Sequence, residues 1–221
     1  TMSGFGPVPD GANLLQQPFT PDFADISKDI PLLIGTTFNE LIKTVYSEKN
    51  LTLDEARKRL AEKYGDNTDN YIQLFEKAYP NYSSQDLLSI DTLFRPNTIV
   101  TADARAANTS APVYSYLLTW KSTVEDNTKG SFHGLDIPLA FKNIELGKHW
   151  TGESDDAKAL AEKMSSAWIN FAKTGNPNVE GSLPAWKPYS RENGETMMFD
   201  KEPKILNNHD RELMELIKSV R

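Results

Sequence analysis

Two residues of the chain have the types and the placement that proton-transfer chemistry needs. His133 lies in a loop between Gly130 and Gly134, a setting typical of a backbone that turns tightly around an accessible side chain. Glu40 follows shortly after an apolar run that ends at Thr37. A carboxylate that orients an imidazole lets the ring take a proton from a serine hydroxyl. Glu40 and His133 are therefore the candidate acid and base of a nucleophilic site.

The serine that such a pair would serve is not evident in the chain. A nucleophile elbow requires Gly-x-Ser-x-Gly at a sharp strand-to-helix turn, and that motif is absent from the sequence. The nearest imitation, GESDD at 152–156, lacks the second glycine and follows no apolar strand. Ser154 is instead expected to cap the helix that follows, with Asp155 and Asp156 complementing the helix dipole.

Other chemistries are disfavoured by what the sequence lacks. His133, His149 and His209 have no mutual spacing that suits a metal site, and we interpret His149 as a loop residue and His209 as a residue that assists capping of the last helix. Glycine-rich phosphate loops are missing. The absence of cysteine excludes a thiol nucleophile and leaves the cellular compartment open, cytoplasmic or secreted.

The composition also narrows the classes of partner. The 221 residues are enough for one sizeable domain. The net charge is −7, with lysine and arginine scattered among acidic residues, so we expect neither nucleic acid nor an anionic membrane as a partner. No apolar run approaches the roughly 20 residues of a membrane span.

Three apolar segments are predicted to be strands that position these side chains. The run from Ile30 to Thr37 and the segment APVYSYLLTW at 111–120 are typical of strands buried on both faces, and TMMFD at 196–200 is a third candidate. In open α/β sheets the chemistry lies just past the carboxyl ends of the strands. Glu40 stands in that position after the first strand.

Helical patterns fill most of the remaining sequence, after an irregular connecting segment at 1–28 that holds four of the 13 prolines. Together the elements predict an α/β fold with a mostly parallel sheet and a large helical insertion. The predicted helices are 53–64 behind a Thr52–Glu55 capping box, about 69–79, one from 83 or 84, about 96–107, a long one after Ser154 that ends near Lys173, and about 210–220.

Several separate segments resemble one family, the type-B carboxylesterases, which includes para-nitrobenzyl esterases and cholinesterases. FGPVPDG is similar to the family's Pro-Val-x-Asp-Gly segment, and IPLLIGTTFNEL to its strand with Gly-x-x-x-Asp-Glu-Gly. GSFHGLDIPLAF resembles Gly-x-x-His-Gly-x-Asp/Glu-x-x-x-x-Phe, and AWINFAKTGNPN, PAWKPYS and MMFD resemble the family's C-terminal pieces. These matches run in family order over nearly the whole chain.

The resemblance implies that the chain, residues 1–221, is the C-terminal part of an α/β-hydrolase that cleaves carboxylic esters through a serine acyl-enzyme, without a cofactor. Glu40 matches the triad acid and His133 the triad base. The family's serine elbow and glycine-rich oxyanion-hole loop precede the Pro-Val-x-Asp-Gly segment. The N-terminal part of the same protein is therefore expected to supply them, and the chain alone is expected to be inactive.

The chain departs from the family's pattern at three positions. Asn39 and Leu41 replace the acidic residue and the glycine that commonly flank the glutamate, and Lys142 stands where a glycine is common.

Two alternatives to an esterase remain open. One is a non-catalytic, cholinesterase-like binding or adhesion protein that lacks the serine. Another is a stand-alone binding module, which would leave a sheet edge open. The resemblance does not specify the ester. Tyr46, Phe94 and Phe141 are candidates to line its pocket, and core packing is the simpler role for each.

Overall fold

The computed structural model describes residues 8–16, 25–40 and 45–220, and these form an α/β fold around one four-stranded sheet. Strand β1 (Leu32–Thr37) pairs in parallel with β2 (Val113–Leu118), and β2 pairs in parallel with β3 (Glu195–Phe199). Strand β4 (Lys204–Asn207) runs antiparallel to β3 at the far edge. The predicted mostly parallel sheet is confirmed. Strand β4 was not predicted, because its short sequence, KILN, is only partly buried and lacks an apolar run.

The predicted helical insertion lies between β1 and β2, and the other helices follow β2. The first α-helix of the insertion begins with the predicted capping box, in which Thr52 and Glu55 satisfy each other's backbone amides, and it ends at the predicted position, before Gly65. The helices are α1 (Leu53–Tyr64), α2 (Thr68–Ala78), α3 (Ser84–Ser89), α4 (Phe94–Asn108), α5 (Asp136–Ala140), α6 (Lys148–Thr151), α7 (Asp155–Thr174) and α8 (Arg211–Ser219).

Both faces of the sheet are covered, as the continuous apolar runs of β1 and β2 require. Helix α4 packs on the face that carries Leu32, Ile34 and Val113. Helix α7 covers the opposite face, where its buried residues meet Tyr114, Tyr116 and other side chains of β2 and β3. Successive side chains of a strand point to opposite faces, so alternate residues of the same run enter different layers.

A second apolar cluster joins the insertion to the end of the chain. Helices α1, α2, α3 and α4 pack with α8 around Phe75, which is fully buried, and Phe38 enters this cluster from the end of β1. Ala56, Leu60 and Tyr64 of α1 are buried in this cluster, but Leu53 is exposed. The insertion is thus anchored directly beside the residues that follow β1.

A buried ion pair lies within this helical layer. Arg95 of α4 binds both carboxylate oxygens of Asp210, at 2.8 and 2.9 Å, and each side chain is 2% exposed. Burial raises the pKa of Asp210, but the charge and hydrogen bonds of Arg95, together with the His209 and Tyr79 contacts, outweigh burial and hold this pKa well below its usual range. The two charges fix the start of α8 against α4.

The irregular character predicted for 1–28 is seen where residues are described. The Asp10 carboxylate accepts hydrogen bonds from the backbone amides of Ala12, Asn13 and Leu14, and Gly11 has φ of +73°. A short 3-10 helix spans Asp25–Ser27. Residues 1–7 and 17–24 of this segment lie outside the described residues. In the part of the chain that is described, no helix is both long and apolar enough to cross a membrane.

His209 does not cap α8 as predicted but is buried beside the ion pair. Its side chain is 8% exposed, and neither ring nitrogen has a hydrogen-bond partner among the described residues. Burial, together with the positive charges of Arg95 and Lys204, lowers the pKa of His209 from 6.5 to about 4, although Asp210 opposes the shift. The folded protein therefore holds this ring neutral.

Replacing His209 tests this assignment. The unfolded chain binds a proton at His209 below about pH 6.5, and the folded chain does so only near pH 4. The contribution of His209 to stability is thus complete above pH 6.5 and falls as the pH decreases toward 4, by about 2 kcal/mol between pH 7 and pH 5. The free energy of unfolding is measured by urea denaturation at pH 7 and at pH 5 for both proteins. Its decrease from pH 7 to pH 5 should be about 2 kcal/mol smaller in His209→Phe than in the unmodified protein. Equal pH dependence in both proteins would contradict the assignment.

Candidate active site

Glu40 lies at the carboxyl end of β1, three residues beyond its last residue. One oxygen of the carboxylate, Oε1, accepts a hydrogen bond of 2.7 Å from the backbone amide of Thr37, so the side chain folds back onto the end of its own strand. The side chain is 10% exposed. This contact leaves the other oxygen, Oε2, to face another part of the chain.

His133 is brought to that second oxygen by the loop that follows β2. The distance between His133 Nδ1 and Glu40 Oε2 is 2.5 Å, although the residues are 93 positions apart. A carboxylate oxygen accepts, so Nδ1 carries the proton, and Nε2 of the neutral ring has its lone pair free to act as a base. Nε2 has no hydrogen-bond partner among the described residues, and the side chain is 68% exposed.

The loop before His133 is joined to the segment before Glu40 by backbone pairing. The Asn39 amide donates to the Ser131 carbonyl at 2.9 Å, and Asn39 forms a parallel bridge with Phe132. The hydroxyl of Ser131 donates to the Leu118 carbonyl at the end of β2. Gly130 and Gly134 have φ of +63° and +81°, which confirms the predicted tight turns on both sides of the histidine.

The segment after His133 is held by a second set of contacts. The Tyr116 hydroxyl of β2 donates to the Asp136 carboxylate at 2.9 Å, which anchors the first turn of α5. The ring of Tyr116 lies against Gly35 of β1, where any side chain would overlap it. Gly35 is therefore needed for a contact that reaches the histidine loop through Tyr116.

Three aromatic residues named as candidate pocket or core residues take different places. Tyr46 is buried and hydrogen-bonded. Phe94, at the start of α4, is 40% exposed, and its ring stacks near His133 with the centroids 6.5 Å apart and an interplanar angle of 22°. Phe141 is 76% exposed. Core packing is thus confirmed for Tyr46 and wrong for Phe94 and Phe141, and Phe94 lies beside the candidate site.

The remaining histidines and the candidate serine lie elsewhere. Ser154 accepts a hydrogen bond from the Ala157 amide and caps α7, as predicted. His149 is exposed in the short helix α6 rather than in a loop. Among residues 8–16, 25–40 and 45–220, no group of three histidine or acidic side chains is placed to hold a metal ion. Leu41, one of the departures at the acid motif, lies outside the described residues.

The sequence patterns did not reveal Asn39, Tyr116 or Asp136 as residues that shape the site. Each makes its contact with an element distant along the chain, and only the sheet register brings these partners together. Asp136 was the one of these residues that the sequence could have revealed, because the family's histidine pattern has an acidic residue at this distance after the histidine.

Comparison with known proteins places the chain in a family. The family described as "Carboxylesterase family" matches residues 1–216. The chain belongs to the carboxylesterase family. Its curated relatives in this family include the para-nitrobenzyl esterase of Bacillus subtilis (strain 168), at 35% identity over 94% of this chain and 42% of that protein. The fumonisin B1 esterase of Sphingopyxis macrogoltabida is 28% identical over 88% of this chain and 36% of that protein.

Solved structures of the family share the fold. An esterase of Clostridium hathewayi, described as able to hydrolyse aliphatic aromatic polyesters, superposes with a TM-score of 0.80 at 31% identity, covering 90% of this chain and 39% of that one. A structure titled "PNB esterase" superposes with a TM-score of 0.56 at 27% identity, over 85% and 38% of the two chains. The α/β-hydrolase fold is therefore confirmed. The chain spans about two-fifths of the length of these family members.

A glycine substitution tests whether the histidine loop depends on its close approach to the acid segment. A Cβ at Gly130 would overlap the Tyr46 ring and lie 2.6 Å from Asn39 Oδ1. Gly130→Ala should cost about 2–4 kcal/mol in unfolding free energy, because overlap adds to the strain of positive φ. Gly181→Ala is the matched control, since Gly181 has φ of +72° and open space around it. It should cost about 1 kcal/mol, the strain alone. Equal losses in urea denaturation would show that the close approach is unimportant.

Proposed function

We propose that the intact protein is a carboxylic ester hydrolase in which Glu40 and His133 are the acid and the base of a Ser-His-Glu triad. The observation that carries the proposal is the 2.5 Å contact between His133 Nδ1 and Glu40 Oε2. It is the contact by which a triad acid orients its histidine. Membership of the carboxylesterase family supports the ester as substrate class.

In the proposed mechanism each atom of the pair has one task. Glu40 Oε2 holds the Nδ1–H tautomer and stabilises the imidazolium that forms, while Oε1 is held by the Thr37 amide. Nε2 takes the proton of the serine hydroxyl as its oxygen attacks the ester carbonyl. The same proton passes to the leaving alcohol, which gives the acyl-enzyme. Nε2 then takes a proton from the water that attacks the acyl carbonyl and returns it to the serine oxygen as the carboxylic acid leaves.

The nucleophile in this proposal comes from the N-terminal part of the same protein. The sequence contains no Gly-x-Ser-x-Gly, and its one resembling serine, Ser154, is occupied as a helix cap. The high exposure of the His133 side chain leaves the ring accessible to a group from elsewhere in the protein. The chain of residues 1–221 is accordingly proposed to lack esterase activity when alone.

A hybrid protein tests the proposal. Residues 1–221 are joined to the portion of the Bacillus subtilis para-nitrobenzyl esterase that this chain does not match, and hydrolysis of para-nitrophenyl acetate is followed. The hybrid should hydrolyse the ester, whereas residues 1–221 alone should stay at the uncatalysed rate. Both His133→Ala and Glu40→Gln should lower kcat of the hybrid by at least about 10³-fold, because each removes a triad member.

The control for these variants is His149→Ala, because His149 is an exposed histidine on α6. Its kcat should equal that of the unmodified hybrid. A hybrid that folds, shown by a cooperative thermal transition, yet hydrolyses no ester would count against the proposal. If the hybrid does not fold, the in-frame coding sequence upstream of Thr1 decides. A Gly-x-Ser-x-Gly elbow there would support the esterase, and the same fold with the serine replaced would favour a non-catalytic binding protein.

A further inference from the structure

The side chain of Asn39 makes three hydrogen bonds at the junction of three segments. Its Oδ1 accepts from the Ser131 backbone amide at 2.7 Å. Its Nδ2 donates to the Ser89 carbonyl at 2.9 Å and to the Tyr46 hydroxyl oxygen at 3.1 Å. Asn39 itself is 1% exposed. It directly precedes Glu40, and Ser131 lies two residues before His133.

The direction of each bond follows from the partners of Tyr46. The Tyr46 hydroxyl has one proton, and Asp86 Oδ1 lies 2.5 Å away, much closer than the 3.4 Å to Asn39 Oδ1. The proton therefore goes to Asp86, whose carboxylate also binds Lys121. Burial and the Asp86 charge raise the pKa of Tyr46, so the hydroxyl stays protonated. Tyr46 Oη is then an acceptor for Asn39 Nδ2.

This network needs a carboxamide at position 39. A carboxylate of the same shape would accept from Ser131 but would donate neither to the Ser89 carbonyl nor to Tyr46. It would also bring a second negative charge near Asp86, in a buried region where charge is costly. The acidic residue common at this position in the resembling pattern is thus incompatible with the contacts that this chain makes.

Few contacts other than the hydrogen bond to Glu40 hold the His133 ring in place. The His133 ring is 68% exposed, and the one aromatic neighbour found for it in the described ranges is Phe94, at the outer limit of ring contact. The separation of the two side chains therefore depends on the two backbone segments that carry them. Asn39 joins those segments through its backbone amide and again through Oδ1.

We infer that Asn39 is a positioning residue whose carboxamide holds the Glu40 segment against the His133 loop and thereby sets the Nδ1–H tautomer of His133. The inference rests on the proposed function only for its consequence in catalysis. The geometry that it describes exists in the chain without serine or substrate. It is tested by a measurement that requires no turnover.

The test is the tautomer of the His133 ring, read from imidazole ¹⁵N chemical shifts correlated to carbon-bound ring protons at a pH where the ring is neutral. Resonances are assigned with His133→Ala. The unmodified chain should show mainly the Nδ1–H tautomer. In Glu40→Gln the ratio of Nδ1–H to Nε2–H should fall, because the carboxylate that accepts the Nδ1 proton is lost. In Asn39→Asp the ratio of Nδ1–H to Nε2–H should fall by about tenfold or more, because the hydrogen bond to Glu40 is no longer aligned.

A matched control separates positioning from stability. Tyr189→Phe removes a hydroxyl from a buried tyrosine that donates to Asp103 and accepts from Arg211, away from the candidate site. It should lower the midpoint of thermal unfolding and leave the His133 tautomer unchanged. If folded Asn39→Asp behaves as this control does, with lower stability and an unchanged tautomer, Asn39 is merely structural and the inference is wrong.

A second variant keeps the inference testable if Asn39→Asp does not fold. Tyr46→Phe removes one acceptor of the carboxamide but leaves its bonds to Ser89 and Ser131. It should shift the tautomer ratio in the same direction by a smaller factor, and an unshifted ratio would overturn the inference. Failure of the hybrid esterase assay while Asn39→Asp still shifts the tautomer would reject the proposed function alone. An active hybrid with an unshifted tautomer would reject only the positioning role.

Discussion

The parallel pairing of β1 with β2 is the constraint on which the candidate site depends. The register aligns Thr37 with Leu118, so the two chains leave the sheet side by side at the same edge. The residues after β1 carry Glu40, and the loop after β2 returns to carry His133 to within 2.5 Å of it. A shift of one residue would turn every side chain of a strand to the other face and separate the pair.

The pairing is itself held by side chains of unequal size. Gly35 leaves room for the Tyr116 ring on the neighbouring strand, and the Tyr116 hydroxyl reaches Asp136 beyond the histidine. Helices α4 and α7 cover the two faces of the paired strands and exclude water from their apolar runs. The same packing that stabilises the sheet therefore also orients the loop that carries His133.

The helical insertion contributes a polar framework behind the acid. Asp86 of α3 binds Tyr46 and Lys121, and Tyr46 in turn contacts Asn39, so α3 is connected to the end of β1 by directional bonds. The buried pair of Arg95 and Asp210 links α4 to α8. Loss of either partner would be destabilising, because it would leave an uncompensated buried charge between these helices.

Local patterns predicted the elements because their causes are local. Capping residues at Thr52, Ser83 and Ser154 mark helix starts through bonds to amides three residues away. Strand β4 and the burial of His209 were beyond such patterns, because β4 is a short edge strand and the neighbours of His209 are distant in sequence or lie outside α8: Tyr79, which follows α2, Arg95 of α4, and Asp210, which precedes α8. Hydrophobic periodicity does not identify which distant segments enclose a side chain.

Local patterns were enough to predict the fold class, the family resemblance and the two candidate residues, since strands, caps and motifs depend on residues close along the chain. The sequence also shows that no serine elbow lies within the 221 residues. The contact between Glu40 and His133, the use of Nδ1 in that contact, and the joining of the two segments by Asn39 are evident only in the folded chain. These facts depend on sheet register and on side-chain directions, which bring together atoms that are about 90 residues apart in sequence.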